Sequence, residues 1–285
     1  MIQAYRKDEA LIEDIETAER EAPEQLHIWW LGQSGFLASA GGIRVLFDPY
    51  LSDSLTRKYA GTDKEHIRMS EQVVEPGKLR GISVVTSTHN HTDHLDAETL
   101  NPLREANPDV RLVVPEANRD FVRERLGMDK AEASQLVGLD EGKDAEIGEV
   151  RVTGVPAAHD RIDRDAEGRC KYLGYVFQWK GWTVYHSGDT RPIPGLGERL
   201  RPFQIDVALL PINGALEERR VSGNLWGQEA AALAAQAQAR WVIPCHYDLF
   251  TFNTETPAAF IEACERREGL HYQVLKGGQR FSLEP

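Results

Sequence analysis

VVTSTHNHTDHLD, residues 84–96, packs three histidines and two aspartates into its last eight positions, directly behind a strand-like apolar run. Side chains two apart leave the end of a strand on the same side, so His89 and His91 can both reach one ion. Asp93 and His94 follow in the turn that opens the next helix, where they can address a second ion beside the first. Imidazole and carboxylate suit Zn, Mn or Fe, and the lack of nearby thiolate argues against a structural zinc knuckle. The alternative is a solvated polar turn. An HxHxDH string arises by chance from this composition in well under about one chain in a hundred, so the ligand reading takes precedence.

Outward from this stretch, strands and helices interleave without a fixed-period repeat. Ala10–Arg20 carries Leu11, Ile12, Ile15 and Ala18 on one side, which predicts an N-terminal helix at about 8–22. LHIWWLGQSGFLASAGGIRVLFDPY (26–50) reads as two or three strands, with Gly41-Gly42 the clearest hairpin turn. ISVVTST (82–88) is a strand, and a helix is expected from near Asp93 through Leu95, Leu100 and Leu103. RLVVP (111–115) is a buried strand, and EANRDFVRERLG a helix closed by Gly127. EVRVTGVPA, KYLGYVFQW, WTVYHSG, DVALLPI and RWVIPCH are further strands. GQEAAALAAQAQA and a segment starting at Pro257 are helices. Two similar halves, each running from strands to helices, predict a single domain over 1–285 with helices outside two stacked sheets.

Composition bounds the function. The 285 residues, 41% of them hydrophobic, suffice for a sizeable core. A formal net charge of −12 disfavours nucleic acid and acidic membranes as partners and leaves a small molecule. Three cysteines without CxxC spacing suggest neither a disulfide framework nor a thiolate site, and point to a reducing, cytoplasmic setting. The acidic N-terminus lacks the apolar core of a secretory signal, and no segment approaches the roughly 20 apolar residues of a membrane span.

Polar residues end other predicted strands. His159 follows VTGVPAA, Asp189 follows WTVYH and the Ser187-Gly188 turn, and His246 follows WVIPC. Each alone is weak, since a lone strand-end histidine is more often structural; their shared position raises them together. HxHxDH followed by a distant His, Asp and His resembles the metallo-β-lactamase-fold hydrolases. WWLGQSGF, THNHTDHLD, YHSGD, QIDVAL and VIPCHYD are similar to the ascorbate-6-phosphate lactonase (UlaG-like) branch, across about residues 28–280.

That resemblance implies an α+β fold, an αββα four-layer sandwich with metals at one edge between the sheets. It implies two divalent ions, Mn2+ or Zn2+, with His89, His91 and His159 on one and Asp93, His94 and His246 on the other. Asp189 would bridge them. Asp48, in LFDPY, would orient ligand histidines, or is a turn residue before Pro49. The branch shares the Asp160-Arg161 pair after His159. A homo-oligomer is also implied.

The expected chemistry is opening of a small, possibly phosphorylated sugar-acid lactone by a metal-activated hydroxide. Asp93 or Asp160 would move the proton. A phosphorylated substrate needs a cation, with Arg161 the first choice among Arg161, Arg164, Arg169, Lys171 and Arg191; pairing with Asp163, Asp165 and Glu167 is the competing reading. His186 is either a substrate contact or a structural histidine, and Asn213 either lines the site or makes a turn. His66 resembles part of a lactonase segment, though a solvated loop is the preferred reading. A phosphodiesterase and a non-catalytic metal-binding regulatory protein are the alternatives.

Overall fold

Strands β1 (Leu26–Gly32) and β2 (Gly35–Ala40) are buried at every position, so both faces of their sheet must be covered. The alternation of side chains divides these residues between two cores. Ile28, Trp30, Phe36 and Ala38 enter one, with Val45 and Phe47 of β3 (Ile43–Phe47), Val84 of β4 (Ile82–Thr86) and Val113 of β5 (Arg111–Pro115). Trp29, Leu31, Leu37, Leu46, Val85, Leu112 and Val114 enter the other.

The computed structural model describes residues 1–285. A first sheet runs β1-β2-β3-β4-β5-β6, where β6 is Leu136–Leu139. The second sheet starts with β7 (Asp144–Ile147), β8 (Val150–Pro156), β9 (Leu173–Trp179) and β10 (Trp182–His186), and adds β11 (Val207–Pro211), β12 (Trp241–Cys245) and β13 (His271–Tyr272). The last strand, β14 (Arg280–Leu283), returns to the first sheet and pairs with β1. Each sheet begins with antiparallel hairpins and continues in parallel, from β3 to β6 and from β10 to β13. The expected two similar halves are thus the two sheets. Four short strands, β6, β7, β13 and β14, go beyond the expected set; β7, β13 and β14 have no apolar run to announce them, β6 (LVGL) has only four residues, and each is a sheet edge held by one neighbour.

Parallel neighbours need crossovers, and helices supply them. On the first sheet lie α1 (Asp8–Glu21), α3 (Ala97–Ala106) and α4 (Arg119–Leu126), whose Leu11, Ile15, Leu100, Leu103 and Val122 fill the core beneath Trp29 and Leu112. A five-residue helix, α2 (Ser54–Lys58), follows β3. On the second sheet, α5 (Leu196–Leu200), α6 (Gly227–Ala237) and α7 (Ala258–Glu265) apply Leu196, Ala230, Ala234 and Phe260. Helix, sheet, sheet, helix is the four-layer α+β sandwich.

One boundary differs from expectation in a way that matters for the site. The helix expected from Asp93 begins at Ala97, because Asp96 caps it, accepting from the Thr99 amide at 3.1 Å and the Thr99 hydroxyl at 2.6 Å. Residues 91–95 instead form a tight turn, with the amides of His94 and Leu95 bonded to the His91 carbonyl. That turn aims Asp93 and His94 back toward the strand ends.

Candidate metal centre

Five strands deliver polar side chains to one edge from their carboxyl ends. His89 and His91 follow β4, His159 follows β8, Asp189 follows β10, His246 follows β12, and Asp48 follows β3. The ligand atoms of His89, His91, His159 and Asp189 lie within 4.8 Å of one another, and so do those of Asp93, His94 and His246. Asp189 stands between the two sets. Its Oδ2 is 3.5 Å from His159 Nε2 and 3.5 Å from His246 Nε2, and its Oδ1 is 3.2 Å from His94 Nε2.

The surroundings assign the protons. His94 Nδ1 lies 2.6 Å from the Asp48 carboxylate, and His159 Nδ1 lies 2.8 Å from the Gly223 carbonyl. Both partners only accept, so each Nδ1 carries a proton, and in the neutral ring Nε2 is the lone pair. The Thr88 hydroxyl donates to Asp48 and lies 3.1 Å from His89 Nδ1, whose proton it accepts. Three imidazoles, their Nδ1 atoms committed, therefore present Nε2 to the site. Asp48 is fully buried and also takes the Thr86 hydroxyl at 2.5 Å and the Thr88 amide at 3.2 Å. Burial, the largest single influence, would raise its pKa, but the His94 hydrogen bond, the His186 and His94 rings and the Thr86 hydroxyl together outweigh it and hold the carboxyl below the ordinary value.

The backbone is strained where these groups meet. Asp48 (φ 33°), Gln33 (φ 48°) and His246 (φ 63°) occupy the left-handed region without being glycine, at a cost of order 1 kcal/mol each. Gln33 sits in the tight turn between β1 and β2; its carbonyl accepts from the His246 amide at 2.9 Å. Its side-chain amide donates to Asp93 Oδ2 at 2.9 Å and to His246 Nε2 at 3.0 Å. Sequence reasoning assigned Gln33 no role; the available signal was a polar residue inside a turn between two fully buried strands.

The donor set fits divalent cations. His89 Nε2, His94 Nε2 and Asp189 Oδ1 are buried without a hydrogen-bond partner, an arrangement that is unfavourable unless a cation completes it. Burial would lower the His94 pKa, yet Asp189 and Asp93 push it well above its ordinary value, while burial lowers that of His89 well below. The carboxylates thus favour positive charge at His94 Nε2, a proton or a cation in its place, while His89 stays neutral. Nitrogen and oxygen donors without thiolate suit Zn, Mn or Fe. Cys245 is buried, and its thiol lies 4.0 Å from Ser34 Oγ.

The site opens into a cavity of about 430 Å³ lined by His91, Asp93, His159, Asp189 and His246. Its outer wall comes from segments far apart in sequence, with Lys58, Tyr59, Lys64 and His66 on one side and Arg125, Arg220, Phe250, Phe252 and Asn253 on the others. Lys58, Lys64 and Arg125 form no ion pair. Lys58 Nζ reaches Thr92 Oγ1 at 3.3 Å, Lys64 Nζ the Arg220 carbonyl at 2.6 Å, and Arg125 the Asn90 carbonyl at 2.7 Å.

Several expected contacts fall elsewhere. His186 is fully buried, donates from Nε2 to the Ser34 carbonyl at 3.0 Å and packs 5.4 Å from Phe47, so it is a core histidine between the sheets and not a substrate contact. Asn213 is likewise fully buried and does not line the cavity; its amide donates to Asn253 Oδ1, which does. Arg161 is exposed and does not line the cavity. The other cations there are neutralised, Arg164 by Glu141, Arg169 by Asp165, Lys171 by Asp163, and Arg191 at 4.0 Å from Asp160. Asp160 is exposed and does not line the cavity; it accepts at 2.7 Å from the hydroxyl of Ser222, which does. His66, read from sequence as part of a solvated loop, lines the cavity instead.

Fold and donor set together define a metallo-hydrolase of the β-lactamase superfamily, and the β-lactamase superfamily domain matches residues 43–247. A UPF0173 metal-dependent hydrolase of Rubrobacter xylanophilus is 31% identical over 265 residues, 89% of this chain and 95% of that one. A second, from Methanoregula boonei, is 30% identical over 91% of this chain and 99% of the relative. The chain belongs to the UPF0173 metal-dependent hydrolase family. Among solved structures, the isothiocyanate hydrolase from Delia radicum gut bacteria superposes with a TM-score of 0.69 at 16% identity, covering 90% of this chain and 98% of that one. Igni18, a metallo hydrolase from Ignicoccus hospitalis, gives 0.65 at 20% identity, covering 91% and 99%. At such identities the likeness concerns the fold. No helix is long and apolar enough to cross a membrane.

Proposed function

We propose that the protein is a binuclear metal-dependent lactonase acting on a small, anionic sugar-acid lactone, in the manner of the ascorbate-6-phosphate lactonase (UlaG-like) branch. The observation that carries this reading is the joining of two ligand sets through Asp189 at the floor of a cavity whose wall holds three cations without carboxylate partners. In an acidic protein, such cations favour an anionic ligand. The expected role of Arg161 passes to Lys58 and Lys64, with Arg125 beside them.

His89, His91 and His159 would hold one ion, Asp93, His94 and His246 the second, and Asp189 would bridge. Mn2+ or Zn2+, when bound, supplies Lewis acidity and an acidified water. The remaining work belongs to the chain. Asp48 and Gly223 orient the His94 and His159 rings, and the Gln33 amide holds the Asp93 carboxylate. Asp93 lines the cavity and is the carboxylate placed to take a proton from the attacking water and return it to the leaving alkoxide; Asp160 does not line it. The lysine ammonium groups would hold the substrate anion and so set which end enters.

The test reconstitutes metal-stripped protein separately with Mn and Zn. Hydrolysis of a phosphorylated sugar lactone, a neutral lactone and a generic phosphodiester is then measured, with His91→Ala as the blank. The expected result is metal-dependent opening of the phosphorylated lactone, abolished in His91→Ala. Lys58→Ala with Lys64→Ala should raise its KM about tenfold and leave the neutral lactone within about twofold. Cleavage of the phosphodiester alone would replace this reading by the phosphodiesterase one.

A further inference from the structure

His66 is held more firmly than a loop residue needs. Its ring stacks on Tyr59 at 4.6 Å and 25°, and meets Phe250 and Phe252 with centroids 5.1 Å away in each case. Its carbonyl accepts from the Thr56 hydroxyl at 2.7 Å. The residues that follow pair with the chain just beyond His246, through Met69 N to Leu249 O at 2.7 Å and Thr251 N to Ile67 O at 2.9 Å. The segment bearing His66 is therefore tied to the segment bearing a candidate metal ligand, and both line one cavity.

One face of the ring is committed and the other is open. Nδ1 lies 2.7 Å from the Lys64 carbonyl, which only accepts, so the neutral ring carries its proton on Nδ1. Nε2 has no hydrogen-bond partner in the protein and is not among the buried unpaired atoms. It is thus a lone pair open to the cavity. Burial keeps the imidazole below its ordinary pKa and favours this neutral form.

Resting on the hydrolase reading above, we infer that His66 is a substrate-contacting residue whose Nε2 accepts a hydrogen bond from a hydroxyl of the bound molecule, so that the cavity selects hydroxylated substrates over their deoxy analogues. The aromatic clamp fixes the ring before binding, so little orientational freedom is lost when the bond forms. A site that offers a fixed acceptor loses that bond with a deoxy analogue and must desolvate Nε2 without return.

The experiment uses full-length, metal-loaded protein and two six-carbon acids, gluconate and hexanoate, titrated calorimetrically. Hydrolysis of δ-gluconolactone and δ-hexanolactone is measured in parallel. Wild type should prefer the hydroxylated member of each pair. His66→Phe keeps a ring in the clamp and removes the acceptor; it should reduce the preference about tenfold while metal content and hexanoate affinity stay unchanged. His66→Gln restores an acceptor near the Nε2 position and should recover part of the preference. A wild type without preference, or a His66→Phe protein that keeps the wild-type ratio or weakens both acids equally, overturns the assignment. The binding arm needs no turnover. If neither lactone opens while the gluconate preference still falls in His66→Phe, the lactonase reading fails and the His66 assignment stands.

Discussion

Asp48→Ala should damage both the fold and the metal centre, for reasons that can be separated. The carboxylate accepts from the Thr86 hydroxyl, the Thr88 amide, the Thr88 hydroxyl and His94 Nδ1, all buried. Hydroxyls rotate toward other acceptors, but the Thr88 amide and the His94 N–H cannot. Two buried donors left unpaired cost about 1–3 kcal/mol each, and loss of one partner from a buried charged contact raises the total to about 3–5 kcal/mol. Urea unfolding of the metal-stripped variant should show that loss. Metal affinity should fall about 10–100-fold, or about 1.4–2.7 kcal/mol, because His94 is no longer held in its Nδ1–H form with Nε2 free. Asp48→Asn is the milder probe: asparagine tolerates φ 33°, keeps the volume and can still offer Oδ1 to His94 Nδ1–H, but it loses the charge and one acceptor oxygen, so affinity should fall less than in Asp48→Ala. Competition titration of Zn against a chelating dye reads both variants. If a folded Asp48→Ala binds Zn within about twofold of wild type, the Asp48–His94 contact does not orient the ligand.

Gly188 adopts φ +58°, and a Cβ there would lie 2.6 Å from Cβ and Oγ1 of Thr88, the residue that links His89 to Asp48. Gly188→Ala should therefore destabilise by about 2–4 kcal/mol and lower metal affinity together; unchanged metal affinity in a folded variant would show that Thr88 does not transmit the displacement. Glu19 accepts from Ser39 and makes two hydrogen bonds with Arg44, tying α1 to the first sheet. Burial would raise its pKa, but Arg44 and Ser39 outweigh burial and hold it below the ordinary 4.5. A lowered folded-state pKa contributes stability above the unfolded value that disappears as pH falls through the folded value. Glu19→Gln should accordingly cost about 1 kcal/mol at pH 7 and progressively less below pH ~4.5, measured by urea unfolding as a function of pH; a constant difference down to pH 3 would contradict the sign.

The part of the site read most directly from sequence is the part made by neighbours in sequence. His89, His91, Asp93 and His94 converge because a strand end and one tight turn set their directions locally. Strand-end position was also a sound guide for His159, Asp189 and His246, since the strands deliver their ends to one edge. The same rule misplaced His186 and Asn213, because position at a strand end does not say whether a side chain turns to the cavity or to the core, and here Phe47 and Asn224 claim them. Asp160 and Arg161 follow His159 directly, but the loop carries them outward to solvent and neighbouring charges.

Sequence alone pointed to the layered α+β architecture and to the candidate ligands that meet at one edge, because apolar alternation and histidine spacing are one-dimensional signals that local geometry converts to direction. Only the tertiary structure decided what surrounds those ligands. Gln33, Lys58, Lys64, His66, Arg125 and Phe250 come from five separate segments, and no spacing rule relates them. Their meeting depends on how the loops after β1, β3 and β12 cross one another above the sheet ends, which is settled by packing and by backbone pairs such as Met69 to Leu249.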